Sequence, residues 1–535
     1  EQLTEAKTGV GAFEWSPDGK WIAYLAQDAP TETEEKKLKE KDDARVVDDF
    51  KMNHVWVVPV VRDESGKREA RQVTKGDFDV REIDWSPDGR NIAIVHAIAP
   101  TVDAWTTSDI SIVDAATGQR KPLAASGAAE SSPIHSPDGK WIAFTATTNP
   151  PSWAQEVTIH VVPATGGTPR ALAPTPDNQP SLVGWSADGK WIYCTETRGT
   201  VGRFSALPTD GGPSRDLSAG DGVMGAVSLN RARSAIGFSW QTSERPAEAY
   251  VSALDRWQPL QISRHNEALA KLPMGRTELV RWKAKDGVEI EGLLTYPVSY
   301  QPGKRVPLLL VIHGGPAGVF VRSFLGNRGS YPLAVFAANG YAILRCNIRG
   351  SGGYGAKFRR ANFRDWGGMD YQDLMLGVDQ TVALGIADPD RLGVMGWSYG
   401  GFMTSWVITQ TRRFKAASIG APVTNLMSFT GTTDIPSFVP DYMGAEFWND
   451  LEVYRKHSAM FNIKGVTTPS LIQHGERDER VHYTQGMELY NALKRQGVPV
   501  KMIAYPRQPH GVGEPRLQRD VMQRNLDWFA QYVKP

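Results

Sequence analysis

The chain has 535 residues, 41% of them hydrophobic and 22% charged, a make-up that excludes general disorder and supplies more core than one ordinary domain needs. Lys and Arg total 60 against 59 for Asp and Glu, a formal net charge of +1, so no whole-protein field draws the chain to nucleic acid or to an anionic membrane. Two cysteines, Cys194 and Cys346, do not make a disulfide framework or a structural zinc site, and no apolar run nears the roughly 18 residues of a membrane span. Residues 1–8 are polar and unlike a signal peptide, which leaves cytoplasmic and periplasmic or secreted locations both open.

The first half is organised by a repeat. Residues 15–20 read WSPDGK, 85–90 WSPDGR, 135–140 HSPDGK and 185–190 WSADGK, with 70, 50 and 50 residues between starts. Ser-Pro-Asp-Gly has the chemistry of a β-turn, and an alternating apolar run follows each copy, as at 21–24 and 141–144, so each unit opens on a hairpin. Further strand-like runs at 55–61, 110–113 and 157–162 complete four-stranded blades. A weaker fifth unit begins near Ser228, with 235–240 as its apolar strand. The long first spacing comes from residues 31–49, a Glu/Lys/Asp-rich insertion read as a solvated loop or short surface helix. The expected fold of residues 1–275 is therefore an all-β propeller of about five recognisable blades.

From residue 276 the pattern changes. A hairpin over 279–296 turns at Lys285-Asp286-Gly287, and an apolar strand at 306–312 runs into His313-Gly314-Gly315-Pro316. Strands at 341–346, 392–395, 416–419, 470–473 and 500–505 then alternate with helices at 369–384, 400–409, 484–496 and 515–532. Apolar strands alternating with helices predict a mostly parallel sheet covered on both faces, an α/β-hydrolase domain over 276–535, with its chemistry beyond the carboxyl ends of the strands.

Three strand ends carry that chemistry. Gly396-Trp397-Ser398-Tyr399-Gly400-Gly401 lies between a strand and a helix, the context of a nucleophile elbow, and makes Ser398 the candidate nucleophile. A serine needs a base, and the base needs an orienting acid. After the strand at 470–473 stand Glu476, Asp478 and Glu479, which composition ranks almost equally; Asp478 is preferred. Pro509-His510-Gly511 follows the last strand and makes His510 the candidate base, with His482 as runner-up and His313 and His474 as local structural donors. The backbone N–H groups of Tyr399 and of the Gly314-Gly315 turn, Gly315 in particular, are the expected oxyanion donors. Phe429, Phe438 and Trp448 lie in a segment between strands that could wall an apolar side-chain pocket. No cofactor or metal is expected.

With HGGP, GWSYGG, an Asp-x-Arg-Val segment and a late His-Gly behind a WSPDG-repeat propeller, the chain resembles the prolyl oligopeptidase family of serine peptidases, and most of all its acylaminoacyl-peptidase branch. The resemblance implies a propeller that restricts access, so that oligopeptides are cut and folded proteins are excluded. It also implies that Arg480 binds a substrate carbonyl near the cleaved bond. The family usually has seven blades and an extra segment ahead of them. Five units before residue 276 imply that an N-terminal portion is missing or separately cleaved, or that the gate is reduced. The acidic pair with which dipeptidyl-peptidase relatives hold a free N-terminus has no match, since Glu34-Glu35 sits in the solvated insertion. The expected activity is thus hydrolysis of short or N-acylated peptides, with a carboxylesterase-like hydrolase, a dipeptidyl-peptidase-type exopeptidase and an inactive scaffold as alternatives. Expected partners are oligopeptides, with no nucleic acid or membrane, and homo-oligomerisation is an open option.

Overall fold

In a computed structural model that describes residues 2–534, five four-stranded antiparallel sheets precede one eight-stranded sheet. The last blade strand is Leu260–Gln261 and the first strand of the large sheet is Thr277–Lys283. Two compact units emerge. One comprises Glu1–Glu196, Phe204–Ser218 and Leu229–Ala235; the other comprises Thr197–Arg203, Ala219–Ser228 and Ile236–Pro535. No helix among the described residues is long and apolar enough to cross a membrane.

The repeated motif folds by satisfying its own polar groups. In the first blade Ser16 Oγ donates to Asp18 Oδ1 (2.7 Å) and accepts from the Trp21 N–H (2.9 Å), and Asp18 Oδ1 accepts from the Lys20 N–H (3.0 Å). Gly19 closes the turn at φ 70°, where a side chain would be strained. The same bonds recur at Ser86 and Asp88, Ser136 and Asp138, and Ser186 and Asp188. All four aspartates are held below the usual carboxylate range, first by the serine O–H and then by the backbone N–H. In the fifth blade Asn230 Oδ1 instead accepts from the N–H groups of Ser234 (2.8 Å) and Ala235 (3.1 Å), and Arg233 takes the left-handed position at φ 53°.

Neighbouring blades share apolar cores. Leu25 and Val55 of the first blade pack with Ile92 and Val113 of the second, Ile110 of the second with Phe144 of the third, and Ile159 of the third with Trp185 of the fourth. Polar clasps add to this packing. Glu14 Oε2 accepts from the Trp85 N–H of the next blade (3.0 Å), and Asp84 Oδ2 accepts from the His135 N–H (2.8 Å) and lies 2.6 Å from its Nδ1. Burial, followed by the nearby Asp84 carboxylate, pushes the Glu14 carboxyl up to about 7. The charged insertion contains the helix Glu32–Glu40, started by a Thr31/Glu34 capping box, and none of its residues is buried.

The large sheet is built from β1 (Thr277–Lys283), β2 (Glu289–Thr295), β3 (Val306–Ile312), β4 (Ala342–Asn347), β5 (Ala387–Trp397), β6 (Ala416–Gly420), β7 (Ser470–Gly475) and β8 (Val500–Tyr505). Their spatial order is 1-2-4-3-5-6-7-8. The pairs β1–β2 and β2–β4 are antiparallel, and all others are parallel, so the carboxyl ends of β3, β5, β7 and β8 share one edge. Helix α1 (Met369–Ala383) precedes β5, α2 (Tyr399–Gln410) follows it, α3 (Leu426–Thr430) and α4 (Phe438–Met443) lie between β6 and β7, α5 (Thr484–Arg495) joins β7 to β8, and α6 (Pro515–Tyr532) ends the domain. Leu309, Val311, Ile343 and Met395 of the central strands pack on Trp528 and Phe529 of α6.

Removing the Asp84 carboxylate leaves the buried His135 N–H and ring without their acceptor. Asp84→Ala is expected to destabilise the blades by about 1 to 3 kcal/mol, seen as a lower urea midpoint, while a small activated ester is hydrolysed at the wild-type rate.

Candidate active site

The end of β5 is shaped by close backbone packing. Ser398 follows it at φ 63° and ψ −122°, a region that L residues avoid and that nucleophile elbows adopt. Its N–H donates to Gly420 O (3.0 Å), and its own carbonyl accepts the Phe402 N–H (2.8 Å). Glycines surround it because nothing larger fits. A Cβ on Gly396 would lie 2.4 Å from Gly400 O, one on Gly400 2.2 Å from Ile312 O, and one on Gly401 2.2 Å from Gly420 O. Tyr399 is the first residue of α2, so its N–H has no partner within the helix and points into the positive end of the helix dipole.

The loop after β3 lies beside Ser398: a Cβ on Gly314 would sit 3.4 Å from Ser398 Cβ and 3.9 Å from Oγ. Gly315 takes φ 129°. His313 anchors this loop from below, with Nδ1 2.8 Å from Gly314 O and Nε2 2.8 Å from Ser351 Oγ. Burial holds its imidazole down at about 4, so it is neutral and not a base for the serine.

The loops after β7 and β8 bring the other two candidates together. His510 Nδ1 is 2.8 Å from Asp478 Oδ2, and Asp478 Oδ1 accepts the Val481 N–H (2.9 Å). Burial alone would raise the Asp478 carboxyl, yet hydrogen bonds from His474 and His510, the His510 charge and the Val481 N–H lower it to about 2. It therefore stays ionised at any pH where an imidazole titrates. With Nδ1–H directed at the carboxylate, His510 keeps Nε2 for a substrate-side proton. The His510 carbonyl accepts the Trp397 indole N–H (2.8 Å), which ties the histidine loop to the residue before the nucleophile. Ser398 Oγ makes no hydrogen bond among the described residues; in free hydrolases this bond commonly closes only when substrate arrives. Glu476 and Glu479 are exposed, and His482 Nδ1 is taken up by Thr484 Oγ1 (2.9 Å).

Arg480 is engaged by a residue the sequence did not single out: its Nε and Nη2 lie 2.6 and 3.1 Å from the two oxygens of Asp434. The same segments are also joined through the backbone, from the Asp434 N–H to Glu479 O (3.0 Å). The three pocket aromatics meet different fates. Phe429 is 1% exposed and is core, whereas Trp448 is 67% exposed and rests edge-on against Phe447. They do not form the shared pocket wall expected of them, because α3 turns Phe429 inward and Trp448 lies beyond α4. Phe438 joins Trp366 and Tyr442 in a ring cluster that touches Tyr399 through Trp366, centroid to centroid 5.1 Å. The Tyr399 hydroxyl donates to Asp370 of α1, whose carboxyl burial raises to about 7. Trp366, Asp370 and Asp434 were missed; only their place before α1, at its start, or in a loop is readable from the chain.

Both members of Glu34-Glu35 are occupied: Glu34 by Lys51 at 2.7 Å and Glu35 by Lys7 at 3.1 Å. Among the described residues no group of three or more His, Cys, Asp or Glu could hold a metal ion.

Residues 328–535 match the prolyl oligopeptidase family. The chain is 36% identical over 245 residues to the acylamino-acid-releasing enzyme of Arabidopsis thaliana, covering 44% of this chain and 31% of that one. It is 26% identical over 465 residues to dipeptidyl-peptidase 5 of Porphyromonas gingivalis, covering 85% and 67%. It spans between about a third and two thirds of the length of such relatives. Among solved structures, the Pyrococcus horikoshii acylaminoacyl peptidase superposes with a TM-score of 0.83 at 22% identity, over 100% of this chain and 83% of that one, which establishes the fold.

The packing around the elbow yields a test. Gly400→Ala must push the start of α2 away from Ile312 O, and with it the Tyr399 N–H. Hydrolysis of an activated ester is expected to fall about a hundredfold or more, the scale of losing one oxyanion donor, in a protein whose circular dichroism is unchanged.

Proposed function

We propose, from the membership of residues 328–535 in the prolyl oligopeptidase family, that this chain is a serine oligopeptidase acting on short or N-acylated peptides. The observation that carries the reading is the strained Ser398 elbow on the same sheet edge as the Asp478–His510 pair. In this reading Ser398 Oγ attacks the scissile carbonyl while His510 Nε2 takes its proton, and Asp478 stabilises the imidazolium. The oxyanion forms between the N–H groups of Tyr399 and Gly315. His510 returns the proton to the leaving amine, and water then releases the acyl group by the same route in reverse. Residues 276–535 would be the catalytic domain and residues 1–275 the blades that select substrates by size.

Arg480 distinguishes a peptidase from an esterase. Asp434 grips the Nε–Nη2 edge of the guanidinium, which leaves the Nη1 edge for a substrate carbonyl. The preference for acylated or internal peptides over dipeptide release draws support from Glu34 and Glu35, which meet Lys51 and Lys7 in the charged insertion instead of standing as an open acidic pair.

A fluorophosphonate is expected to label Ser398, and Ser398→Ala to abolish labelling and reduce kcat by about 10⁴-fold or more; mass spectrometry placing the label on another serine would refute the assignment. Arg480→Ala should lose about ten- to hundredfold in kcat/KM on peptides, the value of one charge-assisted hydrogen bond, and much less on a small ester. Equal losses on both would make Arg480 a structural partner of Asp434. A size-selecting propeller predicts that an unfolded peptide is cleaved while the same sequence within a native globular protein is spared.

A further inference from the structure

We propose that His474 is a positioning residue for the reaction: its Nε2–H, donated to Asp478 Oδ2, holds the carboxylate in the rotation that presents this oxygen to His510. The inference rests on the reading of Ser398, Asp478 and His510 as a triad and adds a fourth side chain to it.

His474 stands near the end of β7, opposite Ala504 of β8, and is 0% exposed. Its Nε2 lies 2.7 Å from Val481 O and 3.3 Å from Asp478 Oδ2. Both atoms are acceptors, so Nε2 carries the proton, with its hydrogen bond to Val481 O and a longer contact to Asp478 Oδ2. Nδ1 is buried without a hydrogen-bond partner, and a Cβ on Gly486 would lie 2.7 Å from it, so α5 closes over that edge. A proton at Nδ1 would be a buried N–H without an acceptor. The titratable groups that face it are Asp478 on the following loop, His510 across the carboxylate, and Tyr483 ahead of α5, edge-on at 5.6 Å.

Asp478 Oδ2 thus faces two imidazole nitrogens, His510 Nδ1 at 2.8 Å and His474 Nε2 at 3.3 Å, while Oδ1 receives the Val481 N–H. The bond from His474 has two effects. It opposes rotation of the carboxylate away from His510, and it disperses charge from the oxygen that stabilises the His510 imidazolium. Without it the carboxylate is less well aimed, so kcat falls. The charge on Oδ2 also becomes more concentrated and favours protonated His510, so the acid limb of the kcat profile moves to higher pH. KM stays put, because His474 touches no substrate.

The test compares His474→Gln with His474→Asn in the full chain, using an activated ester across the pH range. A glutamine amide nitrogen can occupy the place of Nε2, whereas an asparagine amide reaches only to Nδ1, where nothing accepts. His474→Gln should keep kcat within about threefold and the acid limb in place. His474→Asn should lose about ten- to hundredfold in kcat, with its acid limb raised by about half a pH unit or more. If His474→Asn does not fold, His474→Met takes its place with the same expectation. Equal kcat values and acid limbs in the donor-keeping and donor-lacking variants would overturn the inference, as would equal losses that track melting temperature. Ser398→Ala and His510→Ala are assayed alongside. Should either retain full activity, the triad itself falls; should both be inactive while the His474 variants match each other, only the role of His474 falls.

Discussion

The torsion at Ser398 is the constraint on which the candidate site depends. Placing a serine at φ 63° has an energetic cost, and it persists because the chain on either side is held by backbone contacts on two neighbouring strands. The Ser398 N–H is bound by β6 at Gly420, Gly400 abuts the end of β3 at Ile312, and Gly401 abuts Gly420. The sharp turn that results aims α2 at Ser398. It also sets Gly314 against Ser398, so the geometry that exposes the hydroxyl brings the candidate oxyanion donors to it. The Trp397 indole then carries the same constraint to the His510 loop.

Electrostatics in the site follows from unequal burial of three histidines. His313 and His474 are buried and carry main-chain contacts, whereas the His510 side chain is 28% exposed and faces a carboxylate. Desolvation disfavours the charged imidazole of His313. One residue type thereby supplies two buried props and one more exposed partner for the Asp478 carboxylate.

Much of this organisation was legible in the chain. The Ser-Pro-Asp-Gly turns were readable because all their polar groups are satisfied within six consecutive residues. The fifth unit was faint because Asn230 and Arg233 produce the same turn with other side chains. The strand ends bearing Ser398, Asp478 and His510 were visible because period and punctuation mark strand-to-loop transitions. What stayed hidden depends on contacts between distant segments. Asp434 meets Arg480 across 46 residues and Trp366 meets Tyr399 across 33, and neither pairing has a local signature. The aromatic pocket failed for the same reason, since composition says that Phe429 and Trp448 are apolar and not which way α3 turns them.

The self-contained blade turn also bears on how the chain acquires its structure. A turn whose bonds join Ser16, Asp18, Lys20 and Trp21 closes a very short loop, and the hairpin it starts pairs Trp15 with Ile22. Little chain entropy is lost before these contacts form. The large sheet must instead bring β3 beside β5, pairing Leu309 with Gly393, with β4 threaded between them in sequence but placed on the far side of β3. By contact order, hairpins of the blades form while the central sheet is still searching for its register. The elbow at Ser398 needs β3, β5 and β6 together, so its contacts can be completed only after those strands have paired.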